Sequence, residues 1–296
     1  MTRFGTATNY AKESKEAKIA NFTGVIPTIQ GGDCIGCSLP MPHDSGSSLP
    51  EDYVLVKTHC AGFQSQNLNE TGIVTSKVDF LRGCVTPYHF VASNNTSGRV
   101  KQVESCPYEP SLVKRVVHIM RNPLDNVVSR FHLYQRNLFD AQTLGLSDLN
   151  ATADEALPLS VEGFRKYCKL KDNEQLMRNN DAVLFRDFYS LVPCLAEFFL
   201  YIQWHNNAFH ATSGGILTHF FYYEDFSGPS FNKTSDAILN FLHLERSPRG
   251  LDIPFLGGKT YAEYYTGEEK RAIIRLIDRF ATKETKDKLG MRYDLR

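Results

Sequence analysis

The stretch VKRVVHIMRNPLDNVVSRFHLY, residues 113–134, decides how the chain is read. Its first part is apolar and β-branched, with Val116, Val117 and Ile119 at the centre, and predicts a buried strand over Val113–Met120. Arg121 follows, then Asn122 and Pro123, which suit the N-cap and the first helical position. The helix they open repeats Val127, Val128, Phe131 and Tyr134 at helical spacing. Strand, short turn and helix in that order form half of a parallel strand–helix–strand unit.

Working outward, two more apolar runs read as strands, Tyr53–Val56 and Ile216–Tyr223. Helices are expected over residues 7–20, from Asp181 to Ala208 with a break near Pro193, and from Asp236 to Leu244. A last helix opens at the capping box Thr266-Gly267-Glu268-Glu269 and buries Ile273, Ile274, Ile277 and Phe280. Residues 21–50, 60–110 and 137–160 are polar or rich in Gly, Pro and Ser and read as loop-rich insertions in a single domain spanning 1–296. Strands alternating with helices predict an α/β class, a doubly wound parallel sheet with helices on both faces.

In such sheets ligands bind beyond the C-terminal ends of the strands. Three strand ends therefore matter: Lys57-Thr58-His59, then Arg121 with Ser129 eight residues on, then Tyr223-Glu224-Asp225. They offer an ammonium and an imidazole, a guanidinium with a hydroxyl two helical turns away, and an aromatic ring. Arginine grips phosphate through two parallel hydrogen bonds, and a helix start favours anions. Each residue also has a plain structural use: a loop for Lys57 and His59, an ion pair for Arg121, core packing for Tyr223.

Hydrophobic residues make up 42% and charged residues 22% of the 296, a globular composition. Lys+Arg and Asp+Glu both number 33, which argues against broad non-specific binding to nucleic acid. No apolar run reaches the roughly 20 residues needed to span a bilayer, and the N-terminus lacks the apolar core of a signal peptide. Sequons beginning at Asn21, Asn69, Asn94, Asn95, Asn150 and Asn232, and seven cysteines, point the other way, to a luminal glycoprotein whose membrane anchor is not part of this sequence. Cys34 and Cys37 form a CxxC without the second pair or histidines that zinc requires, so a disulfide or plain thiols are expected there.

Taken together and in order, VLVKTH, VVHIMRNPLDNVVSRFHLY and FFYYEDF resemble the sulfotransferase family, and GEEKRAIIRLIDRF with LGMRYD resembles its C-terminal helix and tail. The resemblance implies a P-loop NTPase-like sulfotransferase fold and transfer of a sulfuryl group from 3′-phosphoadenosine 5′-phosphosulfate to an acceptor hydroxyl, without a metal. It implies that Arg121 and Ser129 clamp the donor's 3′-phosphate, that Tyr223 lies near the adenine, that His59 is the general base and that Lys57 contacts the transferring group. The family's phosphosulfate loop has its best counterpart in Thr2–Thr8, with Arg3, Gly5, Thr6, Ala7 and Thr8 as donor-binding positions. Arg3 stands where the family has lysine and Ala7 where it often has threonine, and the strand that should precede the loop would lie before Met1. The family's Arg-Lys-Gly stretch is absent, and Gly257-Gly258-Lys259 is its nearest substitute, with Lys259 as the cation.

The expected function is therefore a sulfotransferase of the Golgi lumen acting on a glycan or protein hydroxyl, with a cytoplasmic enzyme as the alternative location. Two rival readings exist. A P-loop kinase would need GxxxxGK[ST], which the chain lacks. A catalytically inactive sulfotransferase-like binding protein would keep the fold without a working donor loop.

Overall fold

The computed structural model describes residues 60, 73–85, 88–92, 100–104, 110–143, 157–176, 183–244 and 259–293. The expected helix at 7–20, the strand Tyr53–Val56, the loop at 21–50 and the candidate residues Arg3, Gly5, Thr6, Ala7, Thr8, Lys57 and His59 lie outside them. The chain divides into two units, one comprising Met1–Ala61, Ser76–Lys114 and Glu245–Ile253, the other Gly62–Thr75, Arg115–Leu244 and Pro254–Arg296.

In the first unit, helix α1 spans Lys77–Val85, and strands β1, Tyr88–Ala92, and β2, Val100–Glu104, pair antiparallel with Tyr88 opposite Glu104 and Ala92 opposite Val100. The hydroxyl of Ser76 accepts from the Asp79 N–H at 3.1 Å and caps α1, whose Phe80 is buried. A disulfide joins Cys60 to Cys84 at the end of α1. Regular structure therefore occupies part of the 60–110 stretch that polarity marks as loop. A polar sequence can hold a helix and a strand pair when a cap and a covalent tie supply what a small apolar face does not.

The second unit runs β3 (Arg115–Met120), α2 (Pro123–Thr143), α3 (Val161–Leu176), α4 (Leu195–Thr212), β4 (Leu217–Tyr222), α5 (Ser230–Leu242), α6 (Gly267–Phe280) and α7 (Lys283–Arg292). Strands β3 and β4 are parallel neighbours, with Arg115 opposite Leu217 and Met120 opposite Tyr222. The class is mixed α/β, mostly helical, and among the described residues the parallel sheet has these two strands; this is a smaller sheet than the doubly wound one the sequence predicts. His118 and Met120 are buried, whereas Ile119 between them is 48% exposed, so β3 covers one face well and the other only partly.

Helix α4 forms the centre. Its residues Leu195 to Gln203 are all buried, and it packs against α2, α3, α6, α7 and β3. A helix apolar on every side must be enclosed in this way. Its start is set by Pro193, which cannot sit inside a helix, and by Cys194, whose φ of 54° is left-handed and which is tied by a disulfide to Cys168 on α3. Residues 183–194 before it form turns, so the expected long helix begins only at Leu195. Helix α3 falls where no helix is foreseen, and α2 runs to Thr143, into the stretch read as an insertion. At the start of α3, a Cβ on Gly163 would lie 1.9 Å from the Pro158 carbonyl oxygen, so only glycine fits.

Candidate functional site

The parallel register brings the ends of β3 and β4 together, and with them Arg121 and Tyr223, the residues that follow each strand. The Arg121 guanidinium carbon stands 4.6 Å from the centre of the Tyr223 ring. Beneath it the Arg121 carbonyl accepts a hydrogen bond from the buried Tyr201 hydroxyl of α4 at 2.6 Å, which fixes the backbone from which the side chain projects. The helix then opens as its sequence requires: the Asn122 side chain accepts from the Leu124 N–H at 2.9 Å, and Pro123 is the first helical residue.

The end of α2 is not an open anion cradle. Glu224 accepts from the Asn122 N–H at 3.0 Å through one carboxylate oxygen and from the Tyr293 hydroxyl at 2.6 Å through the other. The protein's own carboxylate thus satisfies the helix start. The Arg121 side chain, over the Tyr223 ring, has no ion pair among the described residues.

One face of α2 carries Asp125, Ser129 and His132, spaced by four and three residues and so aligned in one stripe. The segment 259–265 lies against it. The Tyr261 N–H donates to the buried Asp125 carboxylate at 2.7 Å, and the Tyr265 hydroxyl donates to the Leu124 carbonyl at 3.1 Å. The rings of Tyr261 and Tyr264 meet His132 edge to face, with centres 5.0 and 6.2 Å away. Arg165 of α3 pins the far side of the segment by donating to the Tyr264 carbonyl at 3.0 Å and to Glu269 at 2.7 Å. The segment carries Lys259 to this place, exposed and without an ion pair among the described residues. Half-buried Ser129 falls between the two anchored positions of the stripe.

The electrostatics follow. Burial lowers the pKa of His132, and the positive charges of Lys259 and Arg121 lower it further, so the imidazole is neutral at neutral pH. Burial raises the Asp125 carboxyl; the Tyr261 N–H and Arg121 pull it down, while Glu224 and Glu263 push it up. Burial also raises Tyr261, a phenol that senses Arg121 and Tyr223. Arg121 and Lys259 thus both act on His132, and Arg121 also stands over the Tyr223 ring.

Two cations with no ion pair among the described residues, a hydroxyl, an imidazole and half-buried tyrosine rings are groups that suit an anionic aromatic ligand such as a nucleotide. Of the residues singled out from the sequence, Arg121 and Tyr223 come together here, Ser129 lies further along α2, and Lys259 acts on His132 of the same stripe. Asp125, His132 and Tyr261 lie in the same neighbourhood and escaped the sequence reading, which named Glu224 only as part of the third strand end. The spacing of Asp125, Ser129 and His132 along one helical stripe was the available signal for the first and third. No cluster of metal-ligating side chains occurs among the described residues, and none of their helices is long and apolar enough to cross a membrane. Compared with protein-family models, with curated proteins and with solved structures, the chain finds no match.

Proposed function

We propose that the chain is a sulfotransferase that binds 3′-phosphoadenosine 5′-phosphosulfate and moves its sulfuryl group to a hydroxyl of a glycan or protein in the Golgi lumen. The observation that carries this reading is the Arg121–Tyr223 pair at the C-terminal ends of adjacent parallel strands. The guanidinium, the Ser129 hydroxyl and Lys259 hold the 3′-phosphate, and Tyr223 lies against the base. Sulfuryl transfer needs the acceptor oxygen, sulfur and leaving phosphate oxygen in line, so fixing the nucleotide fixes the reaction axis. The new O–S bond forms as the bond from sulfur to the phosphate oxygen breaks. By the resemblance, His59 accepts the acceptor's proton, Lys57 and Arg3 neutralise the oxygens around sulfur, and Gly5, Thr6, Ala7 and Thr8 contribute donor contacts. Among the described residues, the disulfides Cys60–Cys84 and Cys168–Cys194 agree with an oxidising compartment.

Calorimetry with adenosine 3′,5′-bisphosphate, the desulfated donor, tests the binding half of the proposal. The expected outcome is saturable binding to the wild-type protein that Arg121→Ala abolishes. Wild-type protein that shows no binding at millimolar nucleotide sinks the proposal. Nucleotide binding with no transfer of labelled sulfate to any glycan or protein acceptor, in wild type and His59→Ala alike, leaves the inactive binding protein as the correct reading.

A further inference from the structure

We infer that Glu224 and Tyr293 are positioning residues of the proposed donor site: they hold the peptide unit between Arg121 and Asn122, and through it aim the Arg121 guanidinium at the anion. The inference rests on that site and concerns two residues to which the resemblance assigns no role.

The first argument is geometric. The Arg121 carbonyl and the Asn122 N–H belong to one planar peptide unit. The Tyr201 hydroxyl donates to its oxygen at 2.6 Å, and its N–H donates to the Glu224 carboxylate at 3.0 Å. The Tyr293 hydroxyl donates to the second Glu224 oxygen at 2.6 Å. Burial and this bond to Glu224 raise the pKa of Tyr293, which keeps the proton on the phenol. On the other side of Arg121 the strand ladder fixes the chain, with Met120 opposite Tyr222. Arg121 lies outside regular structure, yet its backbone is held both before and after it.

The second argument concerns what Glu224 does not do. It follows Tyr223, whose ring lies 4.6 Å from the Arg121 guanidinium carbon, and a carboxylate in that position is a ready partner for an arginine. Arg121 nevertheless has no ion pair among the described residues, because Asn122 engages one Glu224 oxygen and Tyr293 the other. Tyr293 is well placed for this. It follows α7, which is itself tied to the end of β4: the Tyr222 hydroxyl donates to the Lys288 carbonyl at 2.7 Å, and Arg292 pairs with Asp225 at 2.9 Å. The C-terminal helix thus braces the turn that carries Tyr223 and Glu224. An arginine ordered before the anion arrives loses less conformational freedom on binding it.

The test is titration calorimetry of the full chain with adenosine 3′,5′-bisphosphate and with adenosine 5′-monophosphate, which lacks the phosphate assigned to Arg121. Wild type is expected to prefer the bisphosphate by about tenfold or more. Glu224→Ala is expected to lower bisphosphate affinity about tenfold and monophosphate affinity by less than about threefold. Tyr293→Phe is expected to lower bisphosphate affinity about threefold and leave the monophosphate unchanged. Glu224→Gln keeps an acceptor for the Asn122 N–H and is expected to restore the wild-type preference. Variants that keep wild-type affinity for the bisphosphate, or that lose both nucleotides in proportion, overturn this inference and leave the donor site standing. A Glu224→Gln chain no better than Glu224→Ala does the same. Wild type that binds neither nucleotide, or both equally, overturns the donor site and this inference together. Tyr293→Phe removes a single hydroxyl from a buried ring, so it decides the matter if Glu224→Ala folds poorly.

Discussion

The guanidinium of Arg121 stacks on the ring of Tyr223, 4.6 Å away, because two parallel strands end side by side. Neither side chain owes its place to a neighbour in sequence. Each is delivered by the strand before it, and the register of β3 against β4 does the rest.

This stacking makes the geometry of Arg121 as important as its charge. Arg121→Lys keeps the charge but loses the planar fork and the stacked face. Nucleotide affinity is expected to fall about 10- to 100-fold in Arg121→Lys, and Tyr223→Leu to fall by less. Titration calorimetry with adenosine 3′,5′-bisphosphate reads both. An unchanged affinity in Arg121→Lys would place the phosphate elsewhere.

Glu197 is buried on α4 and pairs with Arg130 of α2, which is itself about a quarter exposed. Removing one partner leaves a charge without its counterion in a largely dry place. Glu197→Leu is expected to cost about 3 kcal/mol in urea unfolding, and Arg130→Met in the same chain to restore most of it. If the double variant is no better than the single, the Arg130 charge is not the source of the loss.

Asp172 of α3 accepts from the Ala196 N–H at 2.8 Å and so caps α4. Burial raises its pKa to about 7, against the pull of the Ala196 and Leu195 amides and with a further push from Glu197. A carboxyl raised above its unfolded value of about 3.9 stabilises the fold fully below that value, and the contribution is lost as pH rises through 7. Asp172→Asn keeps an oxygen for the cap without the charge. It is expected to unfold at higher urea than wild type at pH 8, with the difference shrinking toward pH 5.

His118 of β3 and His205 of α4 share a buried hydrogen bond of 2.9 Å between Nε2 and Nδ1. Burial, with Lys288 nearby, lowers His118 to about 4, and burial with His118 itself lowers His205 well below its ordinary range. A histidine depressed in the fold contributes stability above its unfolded pKa of about 6.5 and loses it as pH falls toward the folded value. The urea midpoint is expected to drop between pH 6.5 and 4.5. The double variant His118→Leu with His205→Met is expected to drop less over the same range.

Where the chain announces its own local chemistry, the sequence was readable. Asn122 and Pro123 start a helix wherever they fall, and Thr266 with Glu269 form a capping box that the structure reproduces in full. The apolar runs at Val113–Met120 and Ile216–Tyr223 are strands to within a residue or two. Helix α3 was missed because its apolar positions, Phe164, Tyr167 and Cys168, are few among charged neighbours, and its partner α4 is distant in sequence. The stretch before Pro193 reads as helix by composition, but the left-handed Cys194 and its disulfide set a different start. In the site, Arg121 and Tyr223 were visible through the strand-end rule. The Asp125–Tyr261 bond was not, since no local pattern pairs a helix carboxylate with a backbone amide so far along the chain.

The pairing of Arg115 with Leu217 has a kinetic consequence. A parallel strand pair cannot close through a tight turn, and the described part of the crossover from β3 to β4 holds the helices α2, α3 and α4. Contacts of such long sequence separation slow folding, because the chain loses loop entropy before the strands reward it. The Cys168–Cys194 bond, with a separation of 26 residues, lies inside that crossover and shortens the effective loop. Oxidised chains should therefore refold from urea faster than reduced ones, and the strand ends that carry Arg121 and Tyr223 should be among the last parts to become protected from hydrogen exchange.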